Sequence, residues 1–212
     1  MKKSILLGAL SVVLSFPADA ALTILATVPE WAALARELGG SRVTVNAATT
    51  GLQDPHRIEA KPSLIAKARS ANLVVATGAE LEVGWLPVVL RESGNRTIQP
   101  GTPGYFEAAT AVTMLDVPKV LDRAHGDVHA AGNPHIQTDP RNLLRVADAL
   151  TARMIELDPA EAMAYRTALQ EFSVKWRAAI VRWVTSSTAP NTSESPELTL
   201  STSPVGVRRG ST

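Results

Sequence analysis

The stretch LTILATVPEWAALARELGGSRVTVNAA, residues 22–48, decides the fold. Leu22 to Thr27 is a short apolar run of the kind that forms a buried strand. Pro29 and Glu30 then open a helix on which Trp31, Leu34 and Leu38 share one face, and Gly39-Gly40 ends it. From Arg42 to Ala48, Val43 and Val45 alternate with polar neighbours, which predicts a second strand. The unit is strand, helix, strand. Repeated along the chain, it predicts an α/β fold with a parallel sheet.

Working outward, Gly51 to Ala60 reads as a loop. Pro62 suits a first helical position, with a helix over Ser63–Ala71. Asn72 to Thr77 is a third strand, stopped by Gly78. A helix is expected over Glu80–Leu90 despite Gly84 and Pro87, and a fourth strand over Val112–Leu115. The pattern stops from Asp122 to Thr138, where three of the four histidines fall. Asp139 then makes a good N-cap and Pro140 a good N1 residue. After Asp158-Pro159, Ala162, Tyr165, Leu169, Phe172, Trp176, Ala179 and Trp183 recur in steps of three and four. That is the spacing of a long helix packed along one seam. At Thr185 the periodicity ends and Ser, Thr and Pro dominate. One reading is a disordered, solvated tail. The other, favoured by the abruptness of the change, is that a further lobe was lost through a shift of frame.

Lys2 and Lys3, the apolar run Ile5–Val13 and Ala18-Asp19-Ala20 make a secretory signal peptide over residues 1–20. The apolar run is too short to span a bilayer, so a soluble periplasmic protein starting near Ala21 is expected. Composition narrows the function. The 212 residues are 45% hydrophobic and 19% charged, with 21 basic and 20 acidic side chains, which excludes wholesale disorder and gives no basic face for nucleic acid. There is no cysteine, hence no disulfide, thiolate ligand, cysteine nucleophile or lipid-modified N-terminal cysteine. The hydrolase motifs G-x-S-x-G and H-E-x-x-H are absent, as are phosphate-binding glycine loops. No enzyme is expected. Glu59 and Glu80 read as solvated surface, and the four tryptophans as packing residues.

The histidines carry what chemistry remains. Imidazole is the commonest nitrogen ligand for zinc and other late divalent ions. His56 lies in Gln53-Asp54-Pro55-His56, after the second strand, and His135 in Asn133-Pro134-His135-Ile136, before the Asp139 cap. Loops at the carboxyl ends of parallel strands are where open α/β sheets bind ligands. With His129 close in sequence to His135, metal ligands and ordinary surface histidines stand as evenly balanced readings on chemistry alone.

These stretches, in this order, resemble the periplasmic zinc/manganese-binding proteins of ABC uptake systems. The resemblance rests on Leu22–Pro29, Gly39-Gly40, Gln53–His56 with Pro62-Ser63, Ala71–Gly78, Leu81-Glu82 with Trp85-Leu86, and Asn133–His135 through Thr138–Pro140. It implies an N-terminal metal-binding lobe over residues 21–157, a long linking helix over 158–184, and a tail over 185–212 in place of the second lobe. It carries the metal-ligand role onto His56 and His135, and makes His125 and His129 the remnant of a metal-capture loop. Asn133 and Gln137 depart from the family's usual Asp and Trp. The expected cargo is Zn²⁺, with Mn²⁺ as the alternative. The expected partner is an inner-membrane ABC permease, with neither nucleic acid nor membrane embedding. If the second lobe is missing, His56 and His135 form an open half-site that water, His129 or a second molecule must complete, and the exposed linking helix favours self-association. The competing expectation is a truncated relic or interaction module that keeps the fold without transport.

Overall fold

The computed structural model describes residues 21–118 and 129–188. The expected signal peptide, His125 and the segment beyond Thr188 lie outside the described residues. Strand β1 (Leu22–Ala26) leads into helix α1 (Pro29–Gly39) and strand β2 (Val43–Ala47). Helix α2 (Pro62–Ser70), strand β3 (Leu73–Ala76), helix α3 (Leu86–Ser93) and strand β4 (Tyr105–Glu107) follow. The last two elements are helix α4 (Pro140–Leu157) and helix α5 (Ala162–Thr188). The four strands form one parallel sheet in the order β2-β1-β3-β4. The α/β expectation is met.

Strands β1 and β3 are central, and both read as near-continuous apolar runs because helices cover both faces. Alternation within them divides the core. Ile24, Ala26, Leu73 and Val75 face α1, α4 and α5, burying Trp31, Leu38, Leu150, Met154 and Tyr165. Leu25, Val74 and Ala76 face the other way, onto Leu64, Ala68, Trp85, Val89 and Ile98 of α2, α3 and their connections. Gly40, with φ of +55°, ends α1 in a conformation that costs glycine little.

Three expectations are corrected. The fourth strand is Tyr105–Glu107 rather than Val112–Leu115. Gly104 permits it. The Gly104 carbonyl accepts from the Val74 N–H at 2.8 Å, and a Cβ there would lie 2.2 Å from the Thr97 carbonyl oxygen. Val112 and Met114 instead pack over the core without joining the sheet. The helix expected from Glu80 starts only at Leu86. Ala79 and Glu80 have φ of +50° and +67°, which no helix admits, and Pro87 is accommodated in the first turn of α3. On α5, Tyr165 and Phe172 are buried and Trp176 donates its indole N–H to the Pro140 carbonyl at 2.7 Å. Trp183, expected to pack, is 63% exposed, because α1 and α4 cover only the first part of the helix.

Candidate metal centre

The sheet order places the change of winding direction between β1 and β3. Strand β2 lies to one side of β1 and β3 to the other, so the loops leaving their carboxyl ends part and open a crevice. At the carboxyl ends of β1 and β3 lies a buried polar network. Glu82, 3% exposed, accepts from the Thr27 hydroxyl at 2.6 Å, the Thr77 N–H at 2.8 Å and the Gly78 N–H at 3.1 Å. The Trp31 indole N–H donates to Thr77 Oγ1 at 2.9 Å. A buried carboxylate is tolerable only with such donors, and these tie the ends of β1 and β3 into one rigid base.

The loop after β2 stands on this base. The Thr49 hydroxyl donates to the Thr27 carbonyl at 2.9 Å. The indole N–H of buried Trp85 donates to the Pro55 carbonyl at 2.8 Å, and Ile58 and Ala60 pack against the same apolar cluster as Trp85. The loop therefore enters and leaves under restraint, with His56 at its turn. Asp54 Oδ1 accepts from both the His56 backbone N–H at 3.0 Å and the His56 ring Nδ1–H at 2.9 Å. These hydrogen bonds, the backbone one foremost, hold the Asp54 carboxyl below the ordinary carboxylate range. With Nδ1 donating, the lone pair of the neutral ring is on Nε2. His56 Nε2 is buried and has no hydrogen-bond partner among the described residues.

The other two imidazoles come from the opposite wall. His135 follows Asn133, whose Oδ1 accepts the His135 N–H at 3.0 Å and whose own N–H donates to the Leu115 carbonyl at 2.8 Å. Asn133 thus makes the local turn with its side-chain oxygen. The Thr138 hydroxyl donates to the His135 carbonyl at 2.7 Å, and Asp139 caps α4 through the Arg141 N–H at 2.9 Å. The His135 backbone is therefore tied to a helix start. The His56 ring centroid lies 5.3 Å from that of His129 and 5.7 Å from that of His135. Two imidazoles on one tetrahedral zinc ion, with Zn–N of about 2.0–2.1 Å, would place their centroids about 5 Å apart. All three rings, with Asp116, Pro118, Gly132, Asn133 and Pro134, line a cavity of about 360 Å³.

The structure brings together the three histidines singled out from sequence. Among the described residues, however, no three His, Asp or Glu side chains converge tightly enough to hold an ion. Sequence reasoning missed the residues behind the site. Trp85 was legible only as a packing residue, and its indole N–H at the His56 loop has no sequence signature. Asp116, at φ of +55°, enters the cavity wall with no motif to announce it.

Fold and site together define an open α/β lobe with a histidine-lined crevice at the carboxyl ends of its parallel strands. The chain belongs to the family of the periplasmic zinc-uptake complex component A, ZnuA, which matches residues 24–195. That family comprises substrate-binding components of transport systems rather than enzymes. The chain is 24% identical over 173 residues to the metal ABC transporter substrate-binding lipoprotein SloC of Streptococcus mutans serotype c, covering 80% of this chain and 53% of that protein. It is 22% identical over 160 residues to the manganese ABC transporter substrate-binding lipoprotein scaA of Streptococcus gordonii, covering 74% and 48%. Among solved structures, it superposes on a crystal structure of ZnuA with a TM-score of 0.61 at 24% identity, covering 75% of this chain and 56% of that one. For the Mn-bound periplasmic metal binding protein from Candidatus Liberibacter asiaticus the TM-score is 0.63 at 19% identity, covering 77% and 56%. The chain spans about half the length of these relatives.

Proposed function

We propose that this chain is the metal-capturing lobe of a periplasmic divalent-ion-binding protein serving an ABC uptake system, with zinc as the cargo. The observation that carries the reading is His56 Nε2, a buried lone pair without a hydrogen-bond partner among the described residues, on a ring that lines a cavity with two more imidazoles. Burying an unsatisfied polar atom costs roughly 1–3 kcal/mol, and a bound cation removes that cost. A nitrogen-rich set favours zinc over manganese, which prefers oxygen donors. Relatives of both kinds exist, so the donor set rather than kinship supports zinc. His56 and His135 serve as ligands from two restrained loops, and His129 supplies a third nitrogen.

Export by the residue 1–20 leader puts the lobe in the periplasm, where it hands the ion to an inner-membrane permease. Among the described residues, no helix is long and apolar enough to cross a membrane. Helix α5 is the linking helix. Its far end exposes Val181, Trp183 and Val184, an apolar surface suited to a second lobe or a second copy. Self-association predicts a mass above the monomer in gel filtration at high concentration, and a monomeric mass counts against it.

One observation favours the alternative of an interaction module that keeps the fold without transport: the lack of three convergent ligands among the described residues. Calorimetric titration of zinc into the metal-stripped protein, beside His56→Ala/His135→Ala, separates the two. About one zinc bound by the parent and none by the variant supports capture. Equal binding, or none by either, supports the module.

A further inference from the structure

Residues 78–80 form a run that the capture site does not by itself explain. Gly78, Ala79 and Glu80 take φ of +79°, +50° and +67° in succession. For the two non-glycine residues this left-handed backbone costs of order 1–2 kcal/mol each. The run is held from behind, because the Glu82 carboxylate accepts the Thr77 and Gly78 N–H groups and is itself buried. Its outcome is the placement of Glu80. That side chain reaches across the crevice, and its Oε2 accepts the Ala130 backbone N–H at 2.7 Å. A carboxylate bound to a backbone N–H is among the stronger hydrogen bonds.

Ala130 directly follows His129. The turn it belongs to is closed by the Gly132 N–H donating to the His129 carbonyl at 3.1 Å, and the Asn133 N–H pins its exit to Leu115. Glu80 thus ties the His129 side of this turn to the end of β3, on the rigid base that also carries His56. We propose that Glu80 is a positioning residue that docks the 129–132 turn and so sets His129 against His56. The third nitrogen of the site is then available for zinc only while this link is made. The proposal rests on the reading of His129 as a ligand.

The test uses the whole chain with zinc as the probe, in five forms: parent, Glu80→Ala, Glu80→Gln, His129→Ala and Glu80→Ala/His129→Ala. Glu80 is exposed, so its substitution spares the core, and thermal unfolding checks this. Calorimetry is expected to show zinc affinity at least about tenfold lower in His129→Ala, since losing a ligand costs no less than losing a contact that supports one. Glu80→Ala is expected to fall about three- to tenfold, and the double variant no further than His129→Ala. Glu80→Gln, which keeps a side-chain oxygen for Ala130, is expected to stay near the parent. In the metal-free protein, amide exchange at Ala130 should quicken in Glu80→Ala and not in Glu80→Gln.

Additive losses in the double variant overturn the proposal, since non-additivity is the mark of two residues acting as one unit. A Glu80→Gln loss as large as that of Glu80→Ala overturns it in favour of direct ligation by the carboxylate. A weakened His129→Ala beside a parental Glu80→Ala overturns it alone. An unchanged His129→Ala overturns both it and the role of His129 in the site.

Discussion

Asp54 is the most informative residue to change, because one of its oxygen atoms performs two tasks. Oδ1 accepts the backbone N–H of His56 at 3.0 Å, which shapes the turn, and ring Nδ1–H at 2.9 Å, which sets the tautomer and leaves the lone pair on Nε2. Carboxylate partners of ligating histidines typically affect metal affinity by about 10–100-fold. Asp54→Ala removes both hydrogen bonds and frees the ring to rotate and to place its proton on either nitrogen, so zinc affinity should fall towards the upper end of that range. Asp54→Asn keeps an oxygen that can accept both hydrogen bonds and loses only the charge, so its loss should sit at or below the lower end. Competition calorimetry at fixed pH, with thermal unfolding of each variant, measures both. Asp54 is exposed at the rim, so unfolding should change little. Parental affinity in Asp54→Ala would refute the role of the carboxylate in presenting His56. Equal losses in both variants would show that charge rather than hydrogen-bond geometry matters.

The pH dependence follows from the same bonds. Asp54 is held below its ordinary pKa by the His56 N–H groups, and Asp139 by the Arg141 side chain and then its backbone N–H. Their contributions to stability should be fully present above the unfolded value of about 3.9 and vanish as pH falls through the lower folded values. Melting temperature followed by circular dichroism from pH 6 downward tests this, and Asp139→Asn should flatten the acid limb. The chain's two tyrosines behave oppositely. Burial, then Glu107, pushes Tyr105 up, and burial, then the bond to Asp158, pushes Tyr165 up. Phenolate absorbance should therefore appear only well above the ordinary pH of about 10, and a titration near 10 in folded protein contradicts the packing. Tyr165→Phe removes the 2.7 Å hydrogen bond to Asp158 that fastens α5 to the end of α4. It should cost about 1 kcal/mol, read as a melting temperature lower by about 2–4 °C; an unchanged or higher value contradicts it. Gly132→Ala places a Cβ 2.5 Å from the Leu115 carbonyl oxygen at φ of +102°. It should open the turn between His129 and His135 and weaken zinc binding by about tenfold, and unaltered affinity would dissociate that turn from the site.

Much of the fold was legible in the residues. Strands β1 and β3 announce themselves because a strand covered on both faces must be apolar throughout, and α1, α2 and α4 because proline and Asp139 mark their starts. Local conflict explains the failures. Val112–Leu115 has strand composition but lies over the core, while Tyr105–Glu107 enters the sheet only because Gly104 lets two backbones approach. Glu80–Leu90 has helical composition, but Glu80, like Ala79 before it, takes left-handed backbone angles beside the buried carboxylate of Glu82.

The site divides in the same way. Sequence alone determined its chemistry: no thiolate, four imidazoles, and two Pro-His turns in loops that a parallel sheet sends to one edge. It also determined His56, His129 and His135 as the side chains to watch, because donor type is a property of each residue by itself. Only the tertiary structure decided that the His129 and His135 rings each stand within 6 Å of the His56 ring. The same holds for the proton on His56, which Asp54 places, and for the supports supplied by Trp85 and Glu80. Those contacts join segments distant along the chain. A hydrogen bond between residues 80 and 130 leaves no periodicity or spacing to read, because it exists only once β3 and the turn before α4 have been packed onto the same base.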